Sequence, residues 1–454
     1  IMKNNMKKFR VSTTAVLLST LLLFGCDITN PGPVSDEFLA VKASHQGLVN
    51  GAGRRLAEAV NNVAYTGALI SREIFPGGQT GSLGHPVLVQ GGWIEPGSYG
   101  GHFSDAVQAR FIAEAAIDIL SGSEEAADPN ALAEAYIWAG YSYRVIAENW
   151  CETVVPEPDG SPGSLQSSTS AALLTKAENH FSSALSTATD NNLKQAAYAG
   201  RAQIKVWAGD WSGAASDAAQ VTDDSWSFDL NMSNLDNATR NQIWFANDNS
   251  PYRAYSMIYT YYGGNNGLSE KPPTFLGYTD ATGDPRVPHG TTSEEWANAA
   301  LEGYGQVKFL NSLHYTSGND DIRIASGNEM RLIEAEAKLN SGDWAAAMTL
   351  INQVRANAGM NDLYTDYPNG LPEASSVATA MSYLMRERAI ELWGEGRRWG
   401  DQRRWITGGL GGDQQLADFE TTSVLFTTTI PERSKCLDIP DSERDSNPNV
   451  PTIS

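Results

Sequence analysis

One motif occurs twice, as Ala202–Ala215 (AQIKVWAGDWSGAA) and as Ala335–Met348 (AEAKLNSGDWAAAM), and the match continues to Gln220-Val221 against Gln353-Val354. Its chemistry dictates a helical hairpin. Gly209 and Gly342 suit the left-handed position that ends a helix. Asp210 and Asp343 suit the N-cap of the next one. Trp211 and Trp344 are expected to pack back across each pair and, with Trp207, to belong to the core. Small alanines on both sides let the paired helices approach. Such helix–turn–helix units build tetratricopeptide-type arrays. The two copies are irregular and far apart, so the motif predicts helix pairs within a superhelical scaffold and not a free solenoid.

Apolar positions at helical spacing predict further helices over about 38–70, 105–120, 130–150, 170–188, 192–208, 211–221 and 375–394. A Pro/Gly/Ser-rich loop spans 156–169. Two regions lose this periodicity. Residues 76–102 are rich in glycine and carry Trp93 and Tyr99. Residues 226–321 hold Trp226, Trp244, Tyr252, Tyr255, Tyr259, Tyr261, Tyr262 and Tyr278 among Gly, Asn and Pro, with short strands and one short helix expected near Trp296. Long loop-rich excursions on a helical scaffold are usually functional. The expected fold is therefore mainly α: a tetratricopeptide-like helix-pair scaffold (about 38–75, 103–225 and 322–405) with large loop-rich insertions (about 76–102 and 226–321). An irregular tail covers 406–454, with a strand-like run at 423–430.

The N-terminal residues read as an export signal. Lys3, Lys7, Lys8 and Arg10 precede an apolar run from Val16 to Phe24, and no acid occurs before Asp27. That pattern, with small Gly25 at the cut, predicts a signal peptide over 1–25. The run is about half of the roughly 20 apolar residues a membrane span needs. Cys26, directly after the cut, is expected to be lipidated, leaving 26–37 as a tether interrupted by Pro31, Gly32 and Pro33. Beyond it only Cys151 and Cys436 remain. Two thiols in an exported protein usually pair, so a Cys151–Cys436 disulfide is expected; two separate buried thiols are the alternative. The formal charge of -21 argues against nucleic acid and anionic lipid surfaces, which need basic patches.

No nucleophile elbow, phosphate-cradling loop or His-Glu-x-x-His pair is present, and the six histidines show no metal-ligand spacing. No enzymatic step, cofactor or metal is expected. The run Arg386–Trp405 stands out. Glu387, Arg388, Glu391, Glu395 and Arg398 alternate in charge at helical spacing, while Trp393, Trp399 and Trp405 interleave with the arginines. A solvated helix laced with ion pairs is the plainer reading. Guanidinium groups among indoles favour a packed, partly buried network that glues the fold together.

Taken in order, several segments resemble the SusD/RagB family: the lipoprotein signal, Asp284-Pro285-Arg286, Arg323–Ala337, the Gly-Asp-Trp pair at 335–354, Glu387 through Trp405, and the tail Leu437–Asn449. The resemblance implies a surface-exposed outer-membrane lipoprotein, anchored through Cys26, that binds nutrients, mostly glycans and sometimes peptides. It also implies a SusC-type TonB-dependent transporter as partner, a scaffold facing that transporter, and loop-rich parts that hold ligand on aromatic rings. The two loop-rich regions supply rings and amides suited to sugars: Trp93, Tyr99, Trp244, Tyr255, Tyr261, Tyr262, Asn265 and Asn266. The bland alternative for each ring is packing on the helices beneath. A helical interaction scaffold without a small ligand, and a surface glycoside hydrolase, are the competing functions.

Overall fold

The computed structural model describes residues 41–78, 83–156, 161–248, 253–264, 276–291, 295–297, 307–366, 372–407 and 434–451. The signal and tether with Cys26, the amides Asn265 and Asn266, and the run 423–430 lie outside the described residues.

Helix α1 (Lys42–Ser71) leads into strand β1 (Phe75–Pro76) and packs on α2 (Gly100–Gly122) and α3 (Pro129–Asn149). Ala52, Ala59, Ala64 and Ala68 are fully buried on its inward side, and their small side chains let the axes come close. Past the hairpin β2 (Glu152–Val154) and β3 (Leu165–Ser167), α4 (Ala171–Thr187) and α5 (Asn191–Ala208) form the next pair. The Phe181 ring of α4 is wedged between Gly140 of α3 and Gly200 of α5. A Cβ at those positions would meet the ring at 2.7 and 2.2 Å, so the two glycines set how deeply the three helices nest.

Helix α6 (Trp211–Ala218) follows, then the inserted lobe with β4 (Ser227–Leu230), α7 (Gln242–Asp248), β5 (Tyr255–Ser256) and α8 (Tyr278–Thr282), after which β6 (Ile322–Ser326) returns the chain to the scaffold. Two antiparallel pairings sew this lobe to the scaffold. β5 joins β1 with Phe75 opposite Ser256, and β6 joins β4 with a register irregularity between Phe228 and Asp229. The chain then forms α9 (Gly327–Asn340), α10 (Trp344–Asn357), α11 (Leu363–Asp366), α12 (Val377–Glu391), α13 (Arg398–Thr407) and α14 (Asp441–Ser446). Trp296 lies in an isolated bridge with Lys308, whose ammonium sits 4.5 Å from the ring centroid, and the residues on either side of 295–297 lie outside the described residues.

Both copies of the repeat fold as their capping chemistry requires. Gly209 turns at φ +74 and Asp210 accepts a hydrogen bond from the Gly213 N–H at 2.9 Å. Gly342 turns at φ +87 and Asp343 accepts from the Ala346 N–H at 3.1 Å. Helices α6 and α9 pack together, so the two units lie side by side. The tryptophans differ from expectation: Trp207, Trp211 and Trp344 are half-buried and pack on the core from outside it. Trp211 and Trp344 occupy the first position of their helices, at the turn that joins each pair.

Charge is buried at the centre of the molecule. Arg286 donates to Asp284 at 2.8 Å, to Glu391 at 3.0 Å and to Glu387, while Arg355 donates to the other Glu387 oxygen at 3.0 Å. Arg323 reaches Glu395 at 2.6 Å. Arg388 pairs with Asp401 at 2.7 Å, and Arg397 holds Glu329 at 2.7 Å and Glu148 at 3.1 Å. Burial alone would push the Asp401 carboxyl upward; Arg388 and Arg404 overcome it and hold the group at about 2. Trp393, Trp399 and Trp405 are buried among these charges, and the Trp405 indole N–H donates to Glu336 at 2.9 Å. The run 386–405 is thus a desolvated network whose partners come from the lobe and from α3, α9 and α10.

A covalent strap closes the fold. Cys151 and Cys436 form a disulfide, with Cα atoms 5.4 Å apart. Around it the Cys151 N–H donates to the Leu437 carbonyl at 3.1 Å and the Leu437 N–H to the Asn149 carbonyl at 2.7 Å, tying segment 434–441 to the end of α3.

Arg286→Leu leaves the carboxylates of Asp284, Glu387 and Glu391 short of a partner, and is expected to cost about 3–5 kcal/mol in urea unfolding. Trp344→Ala removes a half-exposed ring and is expected to cost only about 1–2 kcal/mol in the same assay. A larger loss for Trp344 than for Arg286 would reverse the assignment of core and rim. Thiol labelling without reductant is expected to find neither Cys151 nor Cys436; reduction should lower stability by about 3–5 kcal/mol, because the bond closes a very long loop.

Candidate functional site

The loop after α1 is shaped by what lies beneath it. Arg72 ends α1 in the left-handed conformation at φ 64, and its buried guanidinium donates to the carbonyls of Leu69 at 2.9 Å, Val89 at 3.3 Å and Gln90. The Gln90 amide donates to the Pro76 carbonyl at 3.0 Å. Together they bolt down a single 3-10 turn, Val87–Gly91. Gly92 then reverses the chain at φ 81, and Trp93 follows half-buried at the surface. Tyr99 sits at φ 61 just before α2; a bulky residue there is strained and is held by its surroundings.

Those surroundings are rings. The Tyr99 hydroxyl lies 2.9 Å from His85 Nδ1, and its ring meets His102 edge-on at 5.0 Å. His102 Nε2 lies 2.8 Å from the Thr66 hydroxyl. Burial lowers His85 to about 3 and His102 to about 4, and pushes Tyr99 up to about 12. All three are therefore neutral at ordinary pH. Trp93 and Tyr99 border a pocket of about 270 Å³ whose other walls are Pro86, Leu88, Val89, Ile94, Glu95 and Ser98. Glu95, exposed at the rim, is the one ionisable side chain besides Tyr99 in that lining. Such a pocket offers aromatic and aliphatic faces, with Ser98 and Tyr99 the hydroxyl-bearing residues of its lining.

The C-terminal strap braces the same pocket. The Ser434 N–H donates to the Gly92 carbonyl at 3.0 Å, and the Ser434 hydroxyl accepts from the Ile94 N–H at 2.8 Å. Trp399 donates its indole N–H to the Ser434 carbonyl at 3.1 Å. At Gly97, φ +76, a Cβ would fall 2.1 Å from an Asp441 carboxylate oxygen, so α14 closes against the loop backbone itself.

Of the residues singled out from the sequence, Trp93 and Tyr99 come together here. Trp244 stands elsewhere, half-buried on α7 with its ring 6.2 Å from Phe245. The structure corrects the reading of Tyr255, Tyr261 and Tyr262 as ligand-facing rings. They are 0%, 7% and 0% exposed. Tyr255 donates to the Ile243 carbonyl at 3.0 Å, Tyr262 to the Ala389 carbonyl at 2.8 Å, and Tyr261 stacks on Tyr278 at 5.4 Å. The Tyr255 and Tyr262 hydroxyls find backbone partners inside the protein, as buried phenols require. Arg72, His85 and Asp441, which position the pocket, escaped sequence reasoning, because nothing local marks a residue that supports a loop from behind. Among the described residues no group of three or more His, Cys, Asp or Glu could hold a metal ion, and no helix is long and apolar enough to cross a membrane.

A family model described as the SusD family matches residues 177–451. No curated protein matches the chain. Among solved structures, surface glycan-binding protein A from Bacteroides uniformis is similar with a TM-score of 0.62 at 14% identity, over 90% of this chain and 99% of that one. A SusD superfamily protein from Bacteroides vulgatus is similar with a TM-score of 0.60 at 16% identity, over 90% and 98%. A protein described as a laminarin-binding SusD-like protein is similar with a TM-score of 0.53 at 16% identity, over 90% and 98%. At these identities the structures establish the shared fold, a mainly helical scaffold of tetratricopeptide-like pairs. With the family model covering more than half of its length, the chain belongs to the SusD family.

Proposed function

We propose that this protein is a surface-exposed outer-membrane lipoprotein, anchored through Cys26, that binds a glycan at the Trp93–Tyr99 pocket and passes it to a SusC-type TonB-dependent transporter. The observation that carries the binding step is the pairing of two half-exposed aromatic rings in a pocket with one carboxylate in its lining, on a scaffold of this family. Sugars present apolar C–H faces that stack on indole and phenol rings, and Tyr and Trp supply that area at low entropy cost. Two proteins of the same fold are described as binding glycan or laminarin, which favours sugar over peptide. Membrane attachment through lipid fits the export signal and the lipidation cysteine. Binding without catalysis fits a pocket with a single carboxylate at its rim.

A second reading, a helical scaffold that binds partners and no small ligand, differs in one measurable respect. Affinity gels cast with laminarin, xylan, mannan or starch are expected to retard the protein in at least one case. Trp93→Ala should weaken that binding about tenfold or more, equivalent to about 1.5–3 kcal/mol, with the melting temperature nearly unchanged. Free migration in every gel, together with co-purification of a partner protein, would favour the scaffold.

A further inference from the structure

A second, larger and more polar cleft lies at the other end of α1. It encloses about 640 Å³ between the N-terminal half of α1, the start of α3, and strand β4 with the loop that follows it. Its floor is aromatic and rigid: the Trp138 ring stacks on Phe228 at 5.3 Å with 23° between planes, and Phe228 stacks in turn on Trp226 at 6.4 Å. Gly53 brings the α1 backbone onto the Trp138 indole, where a Cβ would stand 3.0 Å from the ring, and leaves that wall without a side chain.

The rim is built from planar polar groups. Arg54 and the amides of Asn50 and Asn231 offer donors; Glu134, Asp229 and Asp236 offer acceptors. The carboxylates already have partial compensation. Asp236 accepts from Arg54 and from the Ala238 N–H at 3.0 Å, Asp229 from the Ser227 hydroxyl at 2.8 Å, and Glu134 from Gln46 at 3.2 Å. Each oxygen pair keeps acceptor capacity beyond these bonds. A ligand that only donates, such as an ammonium group, would use half of this rim. An anionic ligand would face three carboxylates against one guanidinium already shared with Glu58 at 2.9 Å. Hydroxyl groups both donate and accept, and vicinal pairs match the two-pronged geometry of amide, carboxylate and guanidinium.

We infer that this cleft is a second carbohydrate site, taking an uncharged oligosaccharide whose hydroxyls meet Asn50, Arg54, Glu134, Asp229, Asn231 and Asp236. It is separate from the Trp93 pocket, since Arg54 and Arg72 stand about 27 Å apart along α1 at about 1.5 Å per residue. The site rests on its own lining and is independent of what the pocket binds.

The test uses the full chain and oligosaccharides from laminarin, xylan, mannan and starch, read by calorimetry and by hydrogen exchange. Trp93→Ala is expected to retain binding of at least one of these neutral sugars, with added amide protection over 228–236. Combining it with Asp229→Ala and Asn231→Ala should weaken the residual binding about tenfold or more. If Trp93→Ala abolishes all binding and the cleft changes have no effect, the second site is refuted and the pocket reading stands. If the cleft changes remove all binding and Trp93→Ala none, the pocket reading falls and this one stands. Protection of 228–236 by oligolysine and by no sugar refutes the carbohydrate assignment, and wild-type protein that binds none of the sugars refutes both sites.

Discussion

Desolvated arginine–carboxylate pairs at the centre of the molecule hold its parts in register. Glu387 of α12 is shared between Arg286 of the inserted lobe and Arg355 of α10, and Arg397 bridges Glu148 of α3 to Glu329 of α9. Burying such groups is expensive, and their mutual attraction offsets the cost only when nearly every lone pair and proton finds a partner. That requirement makes the arrangement selective. Sliding α12 by one turn would strand several charges at once, whereas an apolar core of the same volume would tolerate the shift. The network therefore fixes where the lobe docks on the helix pairs, a role hydrophobic packing alone fills less sharply.

The network also reaches the pocket. The bend between α1 and the pocket loop is held by residues of the Arg/Trp run. Arg398 donates to the Ser71 carbonyl at 3.0 Å, the Gly394 N–H to the Glu73 carboxylate at 2.9 Å, and the Trp393 indole to the Glu73 carbonyl at 3.2 Å. Burial pushes Glu73 up to about 7 despite these donors, a measure of how dry the bend is. Arg72 leaves this bend to carry the 3-10 turn, while the disulfide-bonded strap closes the loop from the far side through Ser434 and Asp441. Trp93 is thus presented by a loop clamped on two sides, which limits the ordering cost of binding.

What the sequence revealed follows from how local each signal is. The hairpins at 209–211 and 342–344 are legible because left-handed glycine and N-cap aspartate act within a few residues. The Arg/Trp run is legible as a network, but its partners are not, since Arg286, Arg355, Glu148 and Glu329 reach it only after folding. The tyrosines of the inserted lobe misled for a related reason: Tyr255 and Tyr262 look like binding residues by composition, and only the carbonyls that receive their hydroxyls reveal them as core. The pocket was legible as a region through glycines flanking Trp93 and Tyr99, while Leu88 and Ile94, its aliphatic walls, resemble any other apolar residues. The polar cleft drew no notice because its rim gathers unremarkable side chains from α1, α3 and the loop after β4.

The clamped aromatic pocket on this scaffold is proposed to receive sugar. A crystal structure with a bound neutral oligosaccharide tests it most directly. The expected result is a sugar ring stacked on the Trp93 indole within reach of Tyr99, with the backbone of 83–99 and 434–441 unmoved. A pocket left empty while sugar binds elsewhere, or a loop that rebuilds itself around the ligand, would contradict it.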